Sequence, residues 1–257
     1  MQFLVSAETQ INNRSFGKPN EDVILADPDH RIYFVLDGIT RVHREYADQP
    51  GYSAALEAGQ RFSAAAHAWI LAHPDLPPEE LLRQAAAEGN RLLVSFRQQR
   101  TKEQWQFYPG TLGILALVRD GVLHYVYNGD CMGTLIRKGE KHHFGRQEQT
   151  KKLEEMHISK AERYAIYCNH PEHPMGYGIF NGDEEMAQLL DYGSFPLETG
   201  DVVLLCTDGL GDYIVHTPAT ALTALSLAQI MDASTAYDVP PYATYADDKS
   251  ILRIVAE

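Results

Sequence analysis

Apolar residues fall in short runs near the start of the chain and at wider, helix-like intervals after it. Phe3–Ser6, Val23–Ala26 and Ile32–Leu36 are the short apolar or alternating runs that strands show. Asp27-Pro28-Asp29-His30 is a turn cluster, so the second and third runs predict a hairpin. After a Pro50-Gly51 break the period changes. Ser53–Leu71 sets Ala55, Phe62, Ala66, Trp69 and Ile70 at helical spacing, and Glu79–Arg97 does so with Leu82, Ala85, Ala86, Leu93 and Phe96. Pro77-Pro78 stands where a helix can begin, so a helical hairpin is expected.

Strands resume at Thr111–Val118, Leu123–Tyr127 and Gly133–Arg137, the first two joined through Asp120-Gly121. Lys151–Tyr167 predicts a surface helix, and residues 168–185, rich in Pro, Gly and His, an irregular segment. Val202–Cys206 reads as a strand, Ala219–Met231 as a helix and Ile251–Val255 as a closing strand. Strands come in groups with helices inserted between groups, which is an α+β pattern. The expectation is two packed, mainly antiparallel sheets with helices outside.

Composition narrows the function classes. Of 257 residues, 44% are hydrophobic and 22% charged, as in a globular domain. The net charge of −13 counts against nucleic acid and anionic membranes as general partners. A phosphorylated substrate remains open, because bound cations reverse a local field. The three cysteines, Cys131, Cys168 and Cys206, form no CxxC pair, and an odd count points to a reducing compartment. MQFLVSAETQ has neither a basic n-region nor a long apolar h-region, and the apolar runs are too short to span a bilayer. A cytoplasmic protein is expected.

Short acidic motifs adjoin the predicted strands: Asn20-Glu21-Asp22, Asp37-Gly38, Asn128-Gly129-Asp130, Asp208-Gly209 and Asp247-Asp248. Any one Asp-Gly alone reads as a turn. As a set they mean more. No basic residue lies within one or two positions of Asp37 or Asp208. Carboxylates converging without cations repel, and a hard divalent ion with oxygen ligands is the usual remedy. Mg²⁺ or Mn²⁺ suits such a site better than zinc. His142-His143 and His170-x-x-His173 lack partnering cysteines and read as solvated surface, and the run Arg137–His143 as a solvated turn. Gly209-x-Gly211 lacks the third glycine of a dinucleotide loop.

The ordered motifs N-E-D (20–22), V-L-D-G (35–38), G-T (110–111), N-G-D (128–130), L-L-C-T-D-G-L-G-D (204–212) and D-D-K-S-I (247–251) resemble those of the metal-dependent serine/threonine protein phosphatases, the type 2C family. The resemblance runs from about Gly17 to Val255. It implies a single domain over residues 1–257, a four-layer α-β-β-α sandwich, with a variable flap at about 140–185. It implies two principal Mn²⁺ or Mg²⁺ ions and a third, weaker position. Asp37 would bridge the two metals and the Gly38 carbonyl would bind one of them. Asp208 and Asp247 would hold the other, Glu21 and Asp22 would bind or orient metal waters, and Asp130 would serve the weaker position. Thr111 and Asn128 would be structural. Strand parity sets Asp248 with Leu252 and Ile254, whereas the family pattern takes the ligand just before the strand, which is Asp247.

The implied activity is removal of phosphate from phosphoserine or phosphothreonine in proteins by a metal-bridged hydroxide, with no covalent intermediate. The alternatives are a non-catalytic, phosphatase-like binding module and a phosphatase of a small phosphorylated metabolite. The family's substrate-gripping arginine is replaced: Gly17 holds its commonest place, leaving Lys18 or Arg14 as substitutes. Ile39 stands where many members have a histidine, Gly-Asp-Cys-Met (129–132) replaces Gly-Asp-Ser-Arg, and Gly-Thr-Leu (110–112) replaces Gly-Thr-Thr.

Overall fold

The computed structural model describes residues 1–11, 19–39, 51–98, 109–238 and 247–257. Among these residues ten strands form two antiparallel sheets of five. One sheet orders β2 (Val23–Asp27), β3 (Ile32–Gly38), β4 (Thr111–Arg119), β5 (Val122–Asn128) and β8 (Asp191–Pro196). The other orders β1 (Phe3–Gln10), β10 (Lys249–Ala256), β9 (Val202–Cys206), β6 (Met132–Arg137) and β7 (Glu140–Phe144).

Side-chain alternation builds three cores. Along β3, Tyr33 and Val35 face the second sheet, while Ile32, Phe34 and Leu36 face α1 (Ala54–Ala72) and α2 (Pro78–Gln98). Along β9, Val203 and Leu205 face inward, while Val202, Leu204 and Cys206 pack under α5 (Gly211–His216), α6 (Ala219–Ala224) and α7 (Leu227–Ser234). Helices therefore cover both outer faces of the sandwich. Central strands buried on both faces carry continuous apolar runs, which is why β3 and β9 are not alternating sequences.

Local chemistry sets the element ends. Ser53 caps α1, accepting from the amides of Ala55 and Leu56 at 3.1 and 3.2 Å. Asp120 and Gly121 both have positive φ, 52° and 75°, the backbone of a two-residue hairpin turn matched to strand twist. Lys138-Gly139 repeats the device at 52° and 84°, so residues 137–143 form a hairpin rather than a solvated turn.

Two predicted helices are each split. Lys151–Tyr167 becomes α3 (Gln149–Glu155) and α4 (Lys160–Ile166), interrupted by His157 at φ 59° and restarted by the cap of Ser159. Ala219–Met231 breaks at Leu225, where Ser226 and Gln229 form a capping box for α7. Strands β7 and β8 and the short helix α5 have no apolar run that announces them. Both strands lie at sheet edges, where half of the surface meets solvent and the pattern turns polar. Among the described residues no helix is long and apolar enough to cross a membrane.

Candidate metal centre

Four pieces of chain deliver carboxylates to one end of the sandwich. Asp37 ends β3 in one sheet, and Asp208 follows β9 in the other. Asp247 and Asp248 lead into β10, the neighbour of β9. Asp130 lies in the connection that carries the chain from β5 across to β6.

Glycines let these pieces close. A Cβ on Gly38 would lie 2.6 Å from the carbonyl oxygen of Glu21, and one on Gly209 only 2.0 Å from that of Asp248. Each Asp-Gly turn is thus pressed against the backbone of another acidic motif. Close approach is what demands glycine at both places. Hydrogen bonds tie the same pieces together. The Glu21 amide donates to Asp248 Oδ2 at 2.9 Å, the Asp248 amide to Asp247 Oδ1 at 2.8 Å, and Thr207 Oγ1 to Asp22 Oδ2 at 2.9 Å. Thr111 Oγ1 donates to the Asp37 carbonyl at 2.7 Å, and Asn128 Oδ1 accepts from the Gly113 amide at 2.9 Å. Lys249, buried beside Asp248, points its charge away to Asp238 at 2.6 Å and Ser234 at 2.9 Å.

One oxygen from each of Asp37, Asp130 and Asp208 lies within 4.8 Å of the others. Asp208 Oδ1 is buried with no hydrogen-bond partner among the described residues. Burial, and then the charge of Asp208, push the Asp37 carboxyl well above its usual range. Burial and then the charge of Asp247 do the same to Asp208. Burial raises Asp130 too, opposed by Arg146 and by a 3.1 Å bond from Thr150 Oγ1. Asp22 is pushed to about 8 by burial and then by Asp248. Shifts of this sign mark anionic sites short of positive charge, and a multivalent cation with oxygen ligands is the group that the donor set fits.

The carboxylates form the floor of a cavity of about 160 Å³. Its wall comes from α3, α4 and the chain behind them: Thr150, Glu154, Arg163, Tyr164, Tyr177 and Ile179. Gly38, Ile39, Leu112 and Asp247 complete the lining. The wall belongs to a packed connector. Asn169, in positive φ at 55°, accepts from the Ile179 amide at 2.8 Å and donates to its carbonyl at 3.0 Å. Leu153, Cys168, Tyr177 and Ile179 form a small buried cluster beneath it.

The expected site residues divide into three groups. Asp37, Asp130, Asp208, Asp247 and Gly38 reach the cavity. Asp130, expected at a weaker position, shares the group within 4.8 Å with Asp37 and Asp208, while Asp247 influences Asp208 most among the neighbouring charges. Glu21 and Asp22 stand behind the floor rather than in the lining. Glu21 is 1% exposed and accepts a short bond from Ser53 Oγ. Arg14 and Lys18, like Gly17, lie outside the described residues.

Arg146, Glu154, Arg163 and the two tyrosines were not singled out in the sequence. They sit on short helices and irregular chain, where no periodicity announces which way a side chain turns. Among the described residues no histidine or cysteine joins a metal-ligand group. His143 Nδ1 pairs with Thr134 Oγ1 at 2.9 Å along β6–β7. Cys206 is core, its thiol pushed up to about 12 chiefly by burial.

No protein-family model and no curated protein sequence matches the chain. Solved structures do match it. The serine/threonine phosphatase PstP/Ppp of Mycobacterium tuberculosis shares 20% identity over 100% of both chains, with a TM-score of 0.68. The PstP catalytic domain in complex with 2 manganese ions shares 18% over 99% of each chain, again at 0.68. Stp1 of Staphylococcus aureus shares 16%, covering 100% of this chain and 96% of its own, at 0.67. Agreement over the full length at such identities establishes the fold, which is that of the PPM, or type 2C, serine/threonine phosphatases.

Proposed function

We propose that this chain is a divalent-metal-dependent phosphomonoesterase that acts on phosphoserine or phosphothreonine in proteins. The convergence of Asp37, Asp130 and Asp208, with a buried Asp208 oxygen that no described hydrogen bond satisfies, carries the reading. Asp37, Asp208 and Asp247, joined by Asp130 and the Gly38 carbonyl, would hold Mn²⁺ or Mg²⁺. Bound ions of this kind supply Lewis acidity towards phosphoryl oxygens and lower the pKa of a coordinated water.

The remaining work falls to the chain. Glu21 and Asp22 set the floor from behind, the one through Ser53 and the Asp248 carboxylate, the other through Thr207. Ile39, Leu112 and Ile179 keep part of the lining apolar and limit bulk water beside the reacting phosphate. No cysteine is exposed to act as a nucleophile, since all three are buried, which suits a hydrolysis with no cysteinyl intermediate. On this reading residues 1–257 work as one domain and the stretch at about 140–185 is its substrate-facing flap.

Hydrolysis of an aryl phosphate with Mn²⁺, with chelator, and then of a phosphopeptide panel tests the proposal. Turnover should require the metal and extend to phosphoserine and phosphothreonine peptides. Turnover in thoroughly metal-free protein would overturn the site. Turnover confined to small phosphoesters would overturn the substrate class, and none with any metal would leave a binding module.

A further inference from the structure

Arg163 is the one cation among the described residues that line the cavity, facing five carboxylates. It rises from α4 with its side chain 14% exposed. Nη1 donates to Glu154 Oε1, and contacts the Thr150 carbonyl at 3.5 Å. Nε and Nη2 make no hydrogen bond among the described residues. Half of the guanidinium fork is therefore anchored and half is available at the cavity.

The floor does not account for this charge. Arg146, which is not in the lining, is the cation that lowers both Asp130 and Asp208, whereas the charge of Arg163 is felt by Tyr177 in the wall. Glu154, the fixed partner, is 54% exposed, and exposed ion pairs are weak. A weakly held guanidinium in the wall of an anionic pocket suits an incoming dianion. Its planar fork matches two oxygens of a phosphoryl group at once. Thr150 links it to the floor, because the same residue bonds Asp130 through Oγ1.

Resting on the proposed phosphatase reading, we infer that Arg163 binds the phosphoryl oxygens of the substrate from the wall that α4 contributes. A basic group that grips phosphate is then supplied by α4.

Calorimetric titration of inorganic phosphate into the Mn²⁺-loaded protein tests this beside steady-state kinetics on p-nitrophenyl phosphate. Arg163→Ala should weaken phosphate binding and raise KM by about tenfold or more, the scale of a lost charge-assisted bond, with kcat held within about threefold. Arg163→Lys keeps the stem and the charge but not the fork, and should fall between. Mn²⁺ affinity should not move in either variant.

If wild type is inactive yet binds phosphate, and Arg163→Ala loses that binding, hydrolysis fails and the inference stands. If wild type is active while phosphate affinity and KM ignore both substitutions, the inference fails and the function stands. A wild type that binds no phosphate overturns both. Loss of Mn²⁺ binding along with phosphate in both variants would show that Arg163 only supports the fold, and would overturn its assigned role.

Discussion

Asp37 and Asp208 stand at the ends of β3 and β9, strands hydrogen-bonded to neighbours on both sides. Arg163 stands on a seven-residue helix, and Tyr177 on chain whose strand-like pairing among the described residues is two isolated bridges, Cys168 to Tyr177 and Phe180 to Thr111. The floor is held by backbone ladders that continue into all three main cores. The wall is held by those two bridges and by side chains reaching backbone: Asn169 to Ile179, and Gln147 Nε2 to the Leu189 carbonyl at 2.7 Å. Ladders place a strand end with little dependence on any single side chain. A wall pinned by isolated bridges and a few side-chain bonds, rather than by continuous ladders, can differ between chains of one fold. On the proposed function, the floor is where the chemistry would be built and the wall where a substrate would be selected.

The largest expected effect tests that division directly. Asp208→Ala should lower kcat by about three orders of magnitude or more, because metal binding and phosphoryl positioning fail together. Tyr177→Phe, in the wall, should change kcat/KM by less than about tenfold, mostly through KM. Side-by-side kinetics with Mn²⁺ check both. A wall substitution that matched the floor in kcat would break the comparison.

Packing supplies a second, smaller test. A methyl on Gly209 meets the Asp248 carbonyl at 2.0 Å, and one on Gly176 meets the His170 carbonyl at 2.2 Å. The steric insult is similar, but the first lies between floor segments and the second within the wall. Both alanine variants incur overpacking of about 1–3 kcal/mol. Gly209→Ala should lower the global melting temperature and weaken Mn²⁺ binding. Gly176→Ala should leave Mn²⁺ affinity intact and open residues 145–190 to protease. Equal loss of Mn²⁺ affinity in the two would show that floor and wall are one unit.

The same difference governs how much was legible beforehand. Val202–Cys206 is a strand with the bounds the sequence indicates, and β3 ends in Asp37-Gly38 as its apolar run implies. Burial on both faces writes such strands as uninterrupted apolar runs, and the acidic residue that ends each run marks the site. Asp247 was separable from Asp248 only through the family pattern, because strand parity points to Asp248. The structure gives each a place, Asp247 in the lining and Asp248 buried against the Glu21 amide. Arg163 was not legible. It lies in what reads as one helix from 151 to 167, and the break at His157, a backbone conformation, decides where its side chain goes. The glycines of Asp37-Gly38 and Asp208-Gly209 were legible as needed, but close approach to Glu21 and Asp248 is a tertiary fact.

The smallest effect concerns stability against pH in chelated protein, which the floor should set and the wall should not. Asp22, Asp37, Asp130 and Asp208 all have carboxyl groups raised on folding, Asp22 to about 8. Unfolded, they titrate near 4. Between those values the folded state holds more protons than the unfolded state, so stability falls as pH rises through the window. Metal-free protein should therefore melt higher at pH 5 than at pH 8, by a few degrees if the net effect is about 1 kcal/mol for a domain of this size. Below about 4 the unfolded chain takes up the same protons and the gain stops growing. Asp27, far along β2 and lowered to about 2 against its burial by bonds from His67 and His30, works the other way there, losing its contribution as pH falls towards 2. Saturating Mn²⁺ should reverse the slope above pH 5, because protons then compete with an ion that binds only the folded floor. Asp22→Asn should flatten the chelated curve, whereas Arg163→Ala, a wall change, should not alter its slope. Calorimetric melts from pH 5 to 8, with chelator and with Mn²⁺, measure all four curves. A chelated wild type whose melting temperature falls steadily on acidification would mean that the floor is not short of positive charge, and the case for ions there would go with it.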